Sequence, residues 1–163
     1  RQARDNNRLI RALKMELPQN HANINNVRDI LTKDLDDLQN GKLSITPLIS
    51  FRFTAWEQAQ YGQADLLDQA ETADVIALRG CYSILYILEG KIRDREQYRL
   101  LNEGKAGFVE KMQALDRNIL DKLDHAQEVL EQAQAFLDRI HQWRVKGRSF
   151  SIDRGLVVER AGE

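Results

Sequence analysis

Hydrophobic residues recur along this chain at intervals of three and four. From about residue 5 to residue 40 the apolar positions are Ile10, Leu13, Leu17, Ile24, Val27, Leu31 and Leu38. Asn20 and either Asp34 or Leu35 fill the steps that would otherwise be missing. A stripe held this long describes one amphipathic helix with coiled-coil-like packing. Pro18 lies inside it, and because the phase carries through the proline, one kinked helix is expected rather than two pieces. Asn40-Gly41 is a stop signal.

The stretch KLSITPLISFRF that follows reads as a loop. Thr54-Ala-Trp-Glu57 then fits a capping box, in which a hydroxyl accepts from free amides and a carboxylate reaches back. It predicts a short helix ending at Gly62, with Trp56 in its first turn. A third segment runs from about Ala70 to Asn102. Its middle, Cys81 to Leu88, is apolar almost all the way round, the mark of the most buried helix of the domain.

The last stripe holds Phe108, Met112, Leu115, Ile119, Leu123, Ala126, Leu130, Ala133, Leu137 and Ile140. A helix of roughly 36 residues to Trp143 spans roughly 54 Å at the α-helical rise. The first helix has about the same length, and matched helices joined by turns pack antiparallel. The expected class is all-α: an antiparallel helical bundle of three long helices plus one short helix over residues 1–143. Residues 144–163 change character and are expected to form a small C-terminal hairpin or a disordered tail.

Composition agrees with long helices. The 163 residues include nine glycines and two prolines, and 30% are charged. A net charge of −1 argues against a nucleic-acid partner, since such domains carry a basic excess. Cys81 is the one cysteine, so no disulfide framework exists; its apolar neighbours predict a buried small hydrophobe. No apolar run approaches the length of a membrane span.

Little chemistry can be read from the motifs. Asp138-Arg-Ile-His141 carries the wrong acid for a bundle metal site, and His125-Ala-Gln-Glu128 is reversed. The third histidine, His21, stands in neither motif, so no metal and no cofactor is expected. Asn102-Glu-Gly-Lys-Ala106 lacks the first glycine and the hydroxyl of a phosphate loop. The chain is read as no enzyme. A ligand-binding bundle is the alternative, with a candidate pocket near Trp56, Tyr61, Tyr82 and Tyr86. For Trp56 the favoured reading is a plug in the core.

One charge feature changes the picture. Arg1, Arg4, Arg8, Arg11 and Lys14 stand against Asp5, an excess of +4 at the start of a helix. Positive charge there opposes the helix dipole. A segment just cytoplasmic of a membrane helix gains from it, because Lys and Arg fix orientation and meet anionic lipid.

RLIRALKMELPQNHANINNV, then FTAWEQAQYG, then a helix containing CYSILYILEGKI resembles a loosely defined group of prokaryotic proteins. Those have an N-terminal membrane helix and then a cytoplasmic helical domain. Glu16, Asn20, Thr54, Trp56, Gly62 and Tyr82 carry the likeness, over roughly residues 8–102. Pro18 and the long last helix depart from it. The resemblance implies a membrane anchor upstream of Arg1 and a module on the cytoplasmic side, and it supplies no activity. The regular stripes suit a homo-oligomer or another protein partner.

Overall fold

A computed structural model describes the backbone of residues 2–61, 73–145, 149–153 and 156–160, and the side chains of residues 7–60 and 76–139. The described chain is helical, with four helices: α1 (Gln2–Gln39), α2 (Thr54–Tyr61), α3 (Ala73–Asn102) and α4 (Phe108–Val145). Beyond them, β1 (Ser149–Asp153) and β2 (Leu156–Arg160) pair antiparallel, with Ile152 opposite Val157. Among the described residues no helix is long and apolar enough to cross a membrane.

The stripe explains α1. Ile10, Leu13, Leu17, Ile24, Val27, Leu31 and Leu38 are all buried, as are Asn20 and Asp34, while Leu35 is half-buried. Asp34 rather than Leu35 therefore fills the missing step. The helix runs unbroken through Pro18, whose side is exposed. It stops in a Schellman turn: Gly41 has φ 75°, its amide donates to the Leu38 carbonyl, and the Lys42 amide donates to Asp37. That left-handed conformation is cheap only for glycine.

The chain divides into two compact units. One comprises Arg1–Asn20, Arg52–Tyr82 and Glu128–Glu163; the other comprises His21–Phe51 and Ser83–Gln127. In the first unit Lys14 of α1 meets Asp138 of α4 at 3.1 Å. Its core includes Leu13, Leu17, Trp56, Tyr82, Leu130 and Phe136.

In the second unit Leu38, Phe108 and Met112 form a buried cluster, with Ile45 and Tyr98 against it. Lys91 donates to Asn118, Arg95 to Asp116, and Tyr98 stacks on Phe108. Partners on α4 thus descend in number as those on α3 ascend.

Two expectations need correction. Leu115 is only half-buried, and the buried slot on that turn of α4 belongs to Asp116. The middle of α3 is not covered on every side: Leu85 and Leu88 are buried, but Tyr86 and Ile87 are exposed. Apolar residues all round a helix show that it could be covered, not that its own chain has enough surface to do so.

Candidate functional site

Polar side chains on the helices hold the connection between α1 and α2. In the first unit, Asn20 grips the backbone of Arg52 from both sides. Its Oδ1 accepts from the Arg52 amide at 2.8 Å, and its Nδ2 donates to the Arg52 carbonyl at 2.9 Å.

One turn earlier on α1, the buried Glu16 carboxylate receives three donors. They are the amides of Ala55 at 2.7 Å and Trp56 at 3.3 Å, and the Tyr82 hydroxyl at 2.7 Å. The first two are free donors of the α2 N-terminus, where negative charge also suits the helix dipole. This corrects the capping-box reading. The Glu57 amide donates to the Phe53 carbonyl, so Phe53 occupies the cap position and Thr54 is already inside the helix. The Ala55 and Trp56 amides find their acceptor on another helix.

Trp56 and Tyr82 are buried and stacked, with ring centroids 4.6 Å apart and planes 4° from parallel. Each ring covers a face that a bound aromatic or sugar would need. Of the other candidate pocket residues, Tyr86 lies at the surface in the second unit, and the Tyr61 side chain lies outside the described residues.

In the second unit the extended segment before Phe51 is held in the same manner. The Thr46 amide and hydroxyl donate to Asp34 at 2.7 and 3.1 Å. The Phe51 amide donates to Glu89 at 2.9 Å, and Asn23 donates to the Ile49 carbonyl at 2.9 Å. Pro47, which has no N–H, sits between two residues whose amides find carboxylates, Thr46 and Leu48.

Arg95 lies beneath that segment, fully buried. Its Nε donates to Asp116 at 2.6 Å, its Nη2 to Asp34 at 3.2 Å, and its Nη1 to the Thr46 carbonyl at 3.0 Å and to Glu96. Two fully buried carboxylates thus share one guanidinium. Asp116 Oδ2 has no partner among the described residues. Burial pushes the Asp116 carboxyl above its ordinary range; Arg95 opposes the rise, and Asp34 and Glu96 add to it. Sequence reading missed Arg95, although Leu85, Leu88, Ile92 and Arg95 keep one spacing, so its position on the buried stripe was visible.

Of the basic segment, Arg8 and Arg11 are exposed on α1, and Lys14 is engaged with Asp138. Arg1 lies outside the described residues, as does the Arg4 side chain. Cys81 is buried, and burial pushes its thiol up to about 12, which leaves no thiolate near neutrality. Among the described residues no group of three or more His, Cys, Asp or Glu side chains could hold a metal ion.

The outer side of α3 is of a different kind. Within the second unit Ser83, Ile87, Gly90, Asp94, Gln97 and Leu101 follow one another at steps of four, three, four, three and four. Ile87 is 53% exposed and Leu101 63%. A Cβ added to Gly90 would meet nothing within 4 Å. This second seam lies opposite the buried one.

No protein-family model, curated protein or solved structure matches the chain. The polar clusters bind the protein's own backbone and one another, with Asp116 Oδ2 left over among the described residues.

Proposed function

We propose that this chain is a non-enzymatic helical interaction module that works through protein–protein contacts made by the outer face of α3. The exposed heptad-spaced seam at Ile87 carries the reading. A mid-helix glycine costs about 1 kcal/mol relative to alanine. Among the described residues a Cβ added to Gly90 would meet nothing within 4 Å, so none of them accounts for that cost. Close approach of another helix gives one.

The finer architecture belongs to the same proposal. The three long helices form an antiparallel bundle, which the opposed order of the α3 and α4 partners supports. The module stands on the cytoplasmic side of a membrane, held by an anchor upstream of Arg1. Support comes from the basic residues at the start of α1, of which Arg8 and Arg11 are exposed.

A photoreactive residue placed at Ile87 in cells tests the contact. The reading requires a covalent adduct with protein, and irradiation without any protein adduct removes it. The membrane placement is tested separately, by expression from the natural start followed by salt and carbonate washes of the membranes. Release into the soluble fraction removes the anchor.

A further inference from the structure

We infer that the buried Asp34–Arg95–Asp116 cluster is a pH-operated latch on the extended segment 42–51: a proton on Asp116 keeps the segment closed, and release of that proton loosens it. The latch lies wholly within the second unit and does not depend on the α3 face.

The interior holds more acid than base. Asp34, Asp116 and Arg95 are fully buried, two carboxyls against one guanidinium. Glu96 stands at the edge and is matched by Arg99, whose Nε and Nη2 donate to it at 3.2 and 3.1 Å. With every carboxyl ionised, one negative charge is left over in the interior, where an unpaired charge is costly. One proton removes it.

The donors select the carboxyl that takes the proton. Asp34 accepts from the Thr46 amide, the Thr46 hydroxyl and Arg95 Nη2. Glu96 accepts from the Leu48 amide, Arg95 Nη1 and Arg99. Among the described residues Asp116 accepts only from Arg95 Nε, on Oδ1, and its Oδ2 is left over. The charged groups that act on it are Arg95 and Glu96 of α3 and Asp34 of α1, and its carboxyl is raised. The segment meets the cluster through Thr46 and Leu48, both uncharged.

The same guanidinium holds the segment shut. Arg95 Nη1 donates to the Thr46 carbonyl at 3.0 Å, and the Asp34 that receives Nη2 also holds the Thr46 amide. Once Asp116 ionises, Oδ2 needs a donor. An Arg95 N–H that turns to it leaves Thr46 or Asp34, and water reaches it where the segment lifts. Water is close, since Leu43, Pro47 and Ile49 of the segment are exposed. The closed form binds the proton more tightly than the open one, so closure is lost as pH rises through the raised value.

Hydrogen exchange of the full chain from about pH 4 to about pH 8, read by NMR as protection over the intrinsic rate, tests the latch. Protection of the Thr46 amide is expected to fall by up to about tenfold per pH unit and to level off above the Asp116 midpoint, as release of one proton requires. The buried Leu31 on α1 reports global unfolding and should stay more protected than Thr46 throughout. The carboxyl carbon of Asp116 gives the midpoint directly, and Asp116→Asn should flatten the Thr46 profile. An Asp116 ionised over the whole range overturns the proposal. So does a Thr46 profile that is flat, that follows Leu31, or that persists in Asp116→Asn. Should that variant fail to fold, the parent decides: a Thr46 profile that levels off away from the Asp116 midpoint overturns the latch.

Discussion

The Tyr82 hydroxyl donates to the same Glu16 carboxylate that takes the amides of Ala55 and Trp56. One acid on α1 thus fixes the start of α2 and the ring of α3 on which Trp56 stacks. The tryptophan is held from two directions, by its backbone and by its ring face. Both depend on a residue about forty positions away.

Removing that acid should be costly. Glu16→Ala leaves two amides and a buried hydroxyl without their acceptor, and a loss of about 3 kcal/mol is expected, each unsatisfied group costing on the order of 1–3 kcal/mol with partial relaxation. Glu16→Gln keeps one acceptor oxygen and should lose less. Urea unfolding measures both. In a Trp143→Phe background the Trp56 emission should move to the red in Glu16→Ala. Equal stability of Ala and Gln variants would deny the carboxylate its capping role.

Arg95 should tolerate no neutral replacement. Arg95→Met strands Asp34 and Asp116 in the interior, and breaking such a buried arrangement costs on the order of 3–5 kcal/mol. Arg95→Lys should rescue little, because one ammonium cannot reproduce a fork that serves two carboxylates and a carbonyl. Thermal melts of the two variants decide the matter. A lysine variant melting with the parent would show that charge alone suffices.

Asp116 makes a prediction about pH. Its carboxyl is raised in the folded chain, first by burial, and has its ordinary value when unfolded. The folded state therefore binds this proton more tightly. The contribution of Asp116 to stability is fully present below the ordinary carboxylate range and is lost as pH rises through the raised folded value. Asp116→Asn removes the titration and keeps an acceptor for Arg95. The stability of the parent relative to this variant should fall as pH rises above the ordinary carboxylate value of about 4. A difference that rises with pH over that range would mean that Arg95, not burial, controls the group.

Gly80 and Gly90 should both accept alanine with a gain. Neither added Cβ meets an atom within 4 Å, and each lies inside α3. Gains of about 0.5–1 kcal/mol apiece are expected from helix propensity and from the loss of freedom in the unfolded chain. At low protein concentration, denaturant midpoints should rise for both. A drop for Gly80→Ala would show that its helix needs the bare backbone for a contact of its own.

Cys81 should react slowly with a disulfide reagent in the native chain and rapidly after unfolding, since its thiol is buried and pushed up to about 12. Kinetics of labelling with and without urea read this directly. Fast native labelling would place the thiol in a region that opens easily.

Much of the helical architecture could be read from spacing. The apolar stripe of α1, the stop at Gly41 and the span of α4 follow from local rules, because the periodicity of a helix and the cost of left-handed backbone are properties of a few neighbouring residues. Asp34 in the stripe was visible too, as one of two residues that could fill a step. Tertiary structure decided the rest. Thr54 and Glu57 look like a cap, yet the amides go to Glu16, since the better acceptor is close in space and far along the chain. Cys81 to Leu88 reads as the middle of the most buried helix, yet Tyr86 and Ile87 are exposed, since how much of a helix is covered depends on how many neighbours the chain can bring to it. Arg95 and Asp116 lie at buried steps that spacing marks as apolar. They are tolerated there because each supplies what the other lacks, and such pairing is a property of two positions that only the fold brings together.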